Sequence, residues 1–577
     1  MDRFHKNPRQ RFFYLFASFF SAAVSLSASA DRDGLPVGTE KALKDNSTQQ
    51  IEQDKIRKEH LLPLKNENNS SVSDLQKDII LFPEENSCYD IESVSYHVDN
   101  DTINFSRLRD ITRQAEGKCL GIEGIRLLSK TIQNEIIRMG YITTRLEMPD
   151  QDLTKRKLNF IILTGKVGKI RLAESSGNYI SLKNTLPLHE GDILNLRDLE
   201  QGSFNLKRVP GSEVKIEILP GKYQGESDVD ITREQNKYWQ VAAWLDDAGS
   251  KATGRYQGGG ALYLNNITSL SDSLYFSYGR DIDFSHKPFG NSNRAVGYSV
   301  PWNYWWLDLY ASESQSQQHI QGNQASWNLN NYNHYLSAQV NYLLSQSMTH
   351  KTSAGMQIFN IGTRYYFNGN TELTSMHKKS AGLKAIIKHS HQWERSSVDT
   401  TLSLQKKMPW FGSLATQEAK FNLIDHDATI ATLNIAGSGW FDIASHKIHY
   451  APQLNVQLSP NRLSSLDRFS IGSRWTVRGF DGESSLQQNQ GGYWRNTFSL
   501  ILPEKNYQPY LGADVGRIIG DASQNGIVGK TLMGSVAGVR GWLWNTHYDV
   551  FLGVPLVKPH NFHTDSLTLG FSMQWSY

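Results

Sequence analysis

Past its first thirty residues the sequence has no window near eighteen uninterrupted apolar residues, so a helical membrane protein is excluded. That lack does not exclude a transmembrane β-barrel, whose strands hide their membrane character in alternation, and a mean hydropathy of -0.48 is compatible with full insertion. An excess of charge of one sign is missing too. Of 60 basic and 57 acidic residues, four cations (Arg3, Lys6, Arg9, Arg11) and one anion (Asp2) lie in the first thirty, so the remainder carries no net charge. A bulk nucleic-acid binder, which needs clustered cations to meet phosphates, gains no support. Cysteine is nearly absent, with Cys88 and Cys119 the only two. Also missing is any serine, histidine and acid set that would nominate a catalytic nucleophile, so the chain reads as a non-enzyme without cofactor.

What is present begins with an export signal. The basic start, an apolar stretch from Phe12 to Leu26 and a small-residue end, Ser27 to Ala30, are the layout of a cleavable secretory segment over residues 1–30. An uncleaved anchor helix is the rival reading, but the apolar stretch falls short of the roughly twenty residues a span requires. An exported chain meets an oxidising compartment, so Cys88 and Cys119 are expected to be bonded rather than left as two buried thiols. Residues 46–62 carry helix formers and charge with Ile51, Ile56 and Leu61 on one narrow stripe, which predicts an isolated amphipathic helix. Residues 63–86 have linker composition.

From residue 87 the pattern becomes short strands alternating with helices. Leu128, Ile132, Ile136 and Met139 keep a helical period, and the run from Leu158 to Leu163 reads as a strand. A similar order recurs from Val167 to Ile231, which predicts two small α+β domains, 87–165 and 166–234. From Lys237 the helical signal gives way to alternating segments of about ten residues separated by Gly, Asn, Asp and Ser. At roughly twenty residues per strand with its turn, residues 237–577 predict about sixteen antiparallel strands of a membrane barrel. Fourteen Trp, 25 Tyr and 24 Phe suit its interfacial girdles. In the final segment Leu567, Leu569, Phe571, Met573, Trp575 and Tyr577 alternate with Thr568, Gly570, Ser572, Gln574 and Ser576, an oily face against a wet one. A sandwich strand can alternate as cleanly, but it need not end the chain on an aromatic; Tyr577 there resembles the terminal residue of barrels read by an outer-membrane assembly machinery.

Between residues 463 and 498 lies a long glycine-rich stretch that carries an arginine among apolar neighbours: Val477, Arg478, Gly479 and Phe480. Here the chain resembles the transporter (TpsB) family of two-partner secretion, whose signature is a Val-Arg-Gly-Phe or Tyr loop folded back into the pore. The resemblance implies an acidic wall partner for Arg478, and Asp514, between Gly512 and Gly516, stands in the matching place. Taken alone, Asp514 could equally be a turn or lumen carboxylate. An arginine in a confined pore needs a compensating charge, and its planar fork suits a carboxylate bidentately. Gly479 allows a sharp turn at the loop tip. Gly140 to Arg145, Pro149, Gln151 to Leu153 and Gly165 to Val167 look like the family's first polypeptide-transport-associated (POTRA) domain. Leu196 to Gln201, Lys207 to Pro210 and Gly225 to Val229 look like the second. The family usually shows paired glycines before the loop motif, whereas Gly472 is followed here by Ser473.

The resemblance implies a protein of the bacterial outer membrane, with periplasmic N-terminal domains, that exports a large TpsA-type partner (an adhesin, a haemolysin or a contact-dependent growth-inhibition toxin). The 46–62 helix would then plug the lumen. Its implied contacts are outer-membrane lipids, the barrel-assembly machinery and the client. A barrel insertase shares the arginine loop, but room for only two periplasmic domains favours secretion. Two local patterns are set aside. Gly529, Lys530 and Thr531 end like a phosphate loop, but Gln524 occupies the place of its first glycine and no helix is expected to follow. His389 and His391 share a strand face, but two imidazoles without a third ligand do not make a metal site.

Overall fold

The computed structural model describes residues 80–577, except 100–104, 178, 283–289, 322–325, 348, 444, 503–504 and 521–528. The expected export signal (1–30), the amphipathic helix (46–62) and most of the linker lie outside the described residues.

In the first domain the helix Ile122–Arg138 presents Ile125, Leu128, Ile132 and Ile136, spaced at three and four residues, to a three-stranded sheet. That sheet places Lys157–Leu163 at its centre, parallel to Ser93–Val98 and antiparallel to Arg145–Glu147. Leu158, Phe160 and Ile162 are its buried face, as a period of two requires. The second domain repeats the plan. Glu226–Gln235 is central, parallel to Lys166–Leu172 and antiparallel to Ser212–Pro220, under the helix Leu196–Lys207. Asn195 caps that helix by accepting from the Arg197 N–H at 2.9 Å, and Leu199, Leu206, Val229 and Ile231 fill the core.

The linker boundary needs correcting. Its described part, residues 80–86, does not hang free but lies on the first domain. Ile80 and Phe82 pack on the core, and Glu85 accepts hydrogen bonds from the N–H groups of Gly121, Glu123 and Gly124 at the start of Ile122–Arg138. Three isolated anchoring residues leave no periodicity to read.

Sixteen antiparallel strands then close into a barrel. They are β1 Trp239–Asp246, β2 Gln257–Asn265, β3 Ser273–Asp281, β4 Gly290–Trp302, β5 Trp305–Gln321, β6 Ser326–Gln346, β7 His350–Phe367 and β8 Lys378–Gln392. There follow β9 Ser396–Lys407, β10 Thr429–Ile443, β11 (His446–Tyr450 and Gln453–Leu458, interrupted at Pro452), β12 Gln490–Ile501, β13 Tyr507–Ile519, β14 Thr531–Leu543, β15 Thr546–Val557 and β16 Thr568–Ser576. β16 pairs back onto β1 from Ser572 with Asp246 to Ser576 with Ala242. Leu569, Met573 and Trp575 face outward from β16, while Gly570, Ser572 and Gln574 share the inner face with Trp244 and Asp246. An even strand count puts both barrel ends at the mouth that carries the N-terminal domains. β5, β6 and β7 run 17, 21 and 18 residues, well past the roughly ten a bilayer needs, so this wall rises beyond the membrane at the far mouth.

Candidate functional site

The connection from β11 to β12, residues 459–489, turns into the barrel instead of capping it. Its limbs pair as a short hairpin, Phe469–Ile471 against Leu486–Gln488. Phe469, Ile471, Val477, Phe480 and Leu486 form an apolar cluster with Ile518, Leu532 and Phe562, all buried. The facing wall makes room with glycines between these side chains. A Cβ built on Gly534 would stand 2.0 Å from the Arg478 carbonyl, on Gly512 2.6 Å from Arg478 Nη2, on Gly516 2.7 Å from Val477 Cγ2, and on Gly553 2.8 Å from Gly479 Cα. At the tip Gly479 adopts φ +104°, the left-handed region that glycine enters without strain.

Arg478 closes on Asp514 bidentately, with Nε to Oδ2 and Nη2 to Oδ1 both at 2.7 Å. The Arg478 backbone N–H donates to the same carboxylate at 2.9 Å, and Nη2 also reaches the Asn496 carbonyl at 3.0 Å. Both side chains are almost wholly withdrawn from solvent, at 8% and 0% exposure. A buried pair in this geometry is weak evidence of net stability, yet losing one partner strands a bare charge and costs about 3–5 kcal/mol. Arg495 lies 3.9 Å from Asp514 and donates to the Trp475 carbonyl. Chemically this is a lock on a loop.

The family model described as haemolysin secretion/activation protein ShlB/FhaC/HecB matches residues 225–541. The chain belongs to this family. Ahead of the barrel a ShlB-type POTRA model matches residues 90–165 of the transporter and a POTRA model matches 166–220. The outer membrane transporter CdiB-2 of Burkholderia pseudomallei is 32% identical over 482 residues, covering 81% of this chain and 80% of that one. The hemolysin transporter protein ShlB of Serratia marcescens is 26% identical over 455 residues, covering 74% and 78%. Among solved structures, CdiB from Acinetobacter baumannii superposes with a TM-score of 0.80 at 25% identity, over 95% of this chain and all of that one. The protein is an outer-membrane transporter of two-partner secretion, and its POTRA domains lie in the periplasm.

The remaining expected residues fall at separate places on the transporter. Cys88 and Cys119 are bonded, with Cα atoms 5.3 Å apart, across the small ribbon Tyr89–Ile91 and Lys118–Leu120. Tyr577 sits at the seam, where its N–H donates to the Val241 carbonyl at 2.9 Å and its ring lies 5.9 Å from that of Trp239. The extent of the pore loop needs correcting, because residues 490–498 belong to β12. Gly491, read as loop, is wall: a Cβ there would stand 2.5 Å from Phe469 Cδ1, so it is glycine to admit the hairpin. Thr531 of the discarded phosphate-loop pattern starts a strand, β14. His350 on β7 joins His389 and His391, the three rings lying 6.1–6.3 Å apart, but among the described residues no group of His, Cys, Asp and Glu is arranged to hold a metal ion.

Sequence reasoning missed the second tie of the tip. Arg474 Nη1 bonds Asp247 Oδ1 at 2.7 Å, and its guanidinium lies 4.8 Å from the Phe551 ring centroid. Asp247 also accepts from the Phe571 N–H on β16 at 2.8 Å and pairs with Arg255 at 3.2 Å. The loop is thereby joined to the seam just where β1–β16 backbone pairing ends. Two adjacent acids, Asp246 and Asp247, at the end of an inward-facing register were the available signal.

Proposed function

We propose that the transporter exports one large TpsA-type polypeptide through its lumen in extended form, with the arginine loop as the element that must rearrange for passage. The observation that carries this reading is the Arg478–Asp514 lock, which holds a folded, apolar-cored loop inside a barrel wall whose glycines make room for it. A lock of buried charge gives two discrete states rather than a soft constriction, because a half-separated pair has lost its partner without gaining water.

On this reading the client meets the POTRA domains first. Each domain has sheet edges able to accept an extended segment as an added strand: Ser93–Val98 and Arg145–Glu147 in the first, Lys166–Leu172 and Ser212–Pro220 in the second. Main-chain hydrogen bonds would supply affinity and side-chain pockets selectivity. Residues 46–62 would plug the resting lumen, with residues 63–79 as the tether that lets them leave. Tyr577 would be read by the barrel-assembly machinery during insertion, the outward aromatics would meet outer-membrane lipid, and the transporter would perform no catalysis of its own. Direction would come from folding of the client outside.

The decisive experiment compares culture supernatants of cells with and without this transporter. One large polypeptide should disappear from the medium of the deleted strain and remain in its periplasm. Identical secreted proteins in the two media would overturn the proposal.

A further inference from the structure

The pore loop is tied to the wall at three places. Asp247 follows β1, Asp514 stands on β13, and the third tie is to β9, so the outer two are eight strands apart in a barrel of sixteen. The loop therefore reaches across the lumen, and the wall that holds Arg478 lies midway around the barrel between the other two ties. At the β9 end, Asp467 on the entering limb faces Lys407, with Oδ2 and Nζ 3.0 Å apart and side-chain exposures of 6% and 3%. Among the described residues no other group hydrogen-bonds to either of these two atoms. The other carboxylate oxygen, Oδ1, accepts from Ser380 at 3.2 Å and Gln405 at 3.4 Å, and the Asp467 carbonyl accepts from Gln457 at 2.8 Å. Beside it Lys378 donates to Ser465, and Ser464 donates to Glu418.

We propose that Asp467 and Lys407 are the fixed anchor of the pore loop: a pair of positioning residues that keeps the entering limb docked on β8–β11 while the Arg478 end swings clear. The proposal deepens the secretion reading and rests on it. Two observations separate this end from the tip, although the pair is as buried as the Arg478 lock. The limb is bonded to inward-facing side chains of three strands (Ser380 of β8, Gln405 and Lys407 of β9, Gln457 of β11), and those contacts lie on the wall away from the seam. Releasing Arg478 alone therefore leaves the limb in place. The loop would open as a hinged flap, and removing the Asp467 charge would strand Lys407 and convert the flap into a loose strand in the pore.

The test needs no client. Both native cysteines are bonded, so Ser470→Cys, three residues beyond Asp467 and 7% exposed, gives a single reporter thiol on the limb. Its reaction with a membrane-impermeant maleimide is timed in the inserted full-length barrel, with insertion checked by heat-modifiable gel mobility. Asp467→Asn should speed labelling by at least about tenfold, since exposing a buried site costs less once its tie is cut. Arg478→Ala should leave this rate near wild type, and the swap Asp467→Lys with Lys407→Asp should restore it. If Asp467→Asn does not insert, Ser380→Ala with Gln405→Leu strips donors from Asp467 while keeping both charges, and should speed labelling in the same direction. Labelling at the wild-type rate in the variant that inserts, equal acceleration by Arg478→Ala, or a swap that inserts but fails to restore the rate would each overturn the anchor. None of these results touches the supernatant comparison, so the two proposals fail separately.

Discussion

At the scale of single residues, the loop is held by one arginine and by the glycines that make space for it, and the two contributions predict the same defect from opposite sides. Arg478→Ala removes the cation and leaves the Asp514 carboxylate, at 0% exposure, with two backbone N–H donors, those of residue 478 and Asn496, and Arg495 at 3.9 Å, a loss of about 3–5 kcal/mol in loop seating. Secretion should fall to a small fraction of wild type while the amount of heat-modifiable barrel is unchanged; wild-type secretion by this variant would take the loop out of the mechanism. Gly534→Ala attacks the same seat without touching a charge. Its added methyl would stand 2.0 Å from a backbone carbonyl, which cannot rotate away, so the loop must shift at a cost of about 1–3 kcal/mol. Its secretion should drop in the same direction as that of Arg478→Ala. Gly541→Ala is the control within the barrel, because its methyl would stand 2.3 Å from the Asn506 backbone carbonyl and not against the loop. A Gly534→Ala transporter that secretes normally would mean that the loop does not occupy this seat during transport.

Elements show how a few side chains substitute for missing local signals. Gly121, which precedes the helix Ile122–Arg138, has no side chain to cap it, and Glu85 supplies the cap from 36 residues upstream, accepting from the Gly124, Glu123 and Gly121 N–H groups. Those bonds, that of Gly124 first, hold the Glu85 carboxyl below its ordinary value of 4.5. A carboxylate with a lowered folded pKa contributes stability above the ordinary glutamate range and loses it as pH falls through the folded value. Glu85→Gln should therefore lower the melting temperature of the first POTRA domain at pH 7 in detergent-solubilised protein, and the gap from wild type should close as the pH falls below about 4. A gap of equal size at pH 7 and pH 3 would show that the cap acts through shape alone. The expected plug is a second element with its own test: deleting residues 46–62 should raise single-channel conductance in planar bilayers, and unchanged conductance would argue against a plug. What the sequence made legible follows the same division. The strand count and the two α+β domains came from periodicity, which a membrane wall and a small core both impose along the chain. The Arg478–Asp514 pairing came from a motif. Arg474 with Asp247, separated by 227 residues, and Asp467 with Lys407 were invisible. A lumen-facing charge alternates with its neighbours in the same way whether it meets water or a loop, so period alone cannot tell an anchor from a solvated wall.

For the whole molecule, the question is how a client bound below the membrane arrives at the barrel mouth. The joints are made of buried amides rather than a flexible linker. Between the POTRA domains, the Leu196 N–H donates to the Gly140 carbonyl at 2.8 Å and the Leu194 N–H to that of Gly165 at 2.9 Å. Between the second domain and the barrel, Asn205 Nδ2 donates to the Asn303 carbonyl at 2.8 Å, as it does within the domain to that of Thr185, and Gln201 reaches the same Asn303 carbonyl at 3.0 Å. Asn184 donates to the carbonyls of Leu270 and Pro301, so the β2–β3 and β4–β5 turns are both held. Arg208 reaches past the mouth to Ser299 and Asp308 on the inner wall. Asn184 and Asn205 are 1% and 2% exposed, so water cannot replace them without opening the joint. Such a joint fixes the direction in which the sheet edges of the second domain point relative to the lumen, and an extended chain has no other means of steering. Asn205→Leu keeps the size of the side chain, removes one of the two donors to the Asn303 carbonyl and leaves the Thr185 carbonyl without this donor, at about 1–3 kcal/mol. The barrel should still insert, but limited proteolysis should cut residues 236–238 faster than in wild type, and secretion should fall although every loop residue is intact. Faster cleavage with undiminished secretion would mean that a loosely hung domain delivers the client as well as a fixed one, and that the rigidity of this joint serves folding and not transport.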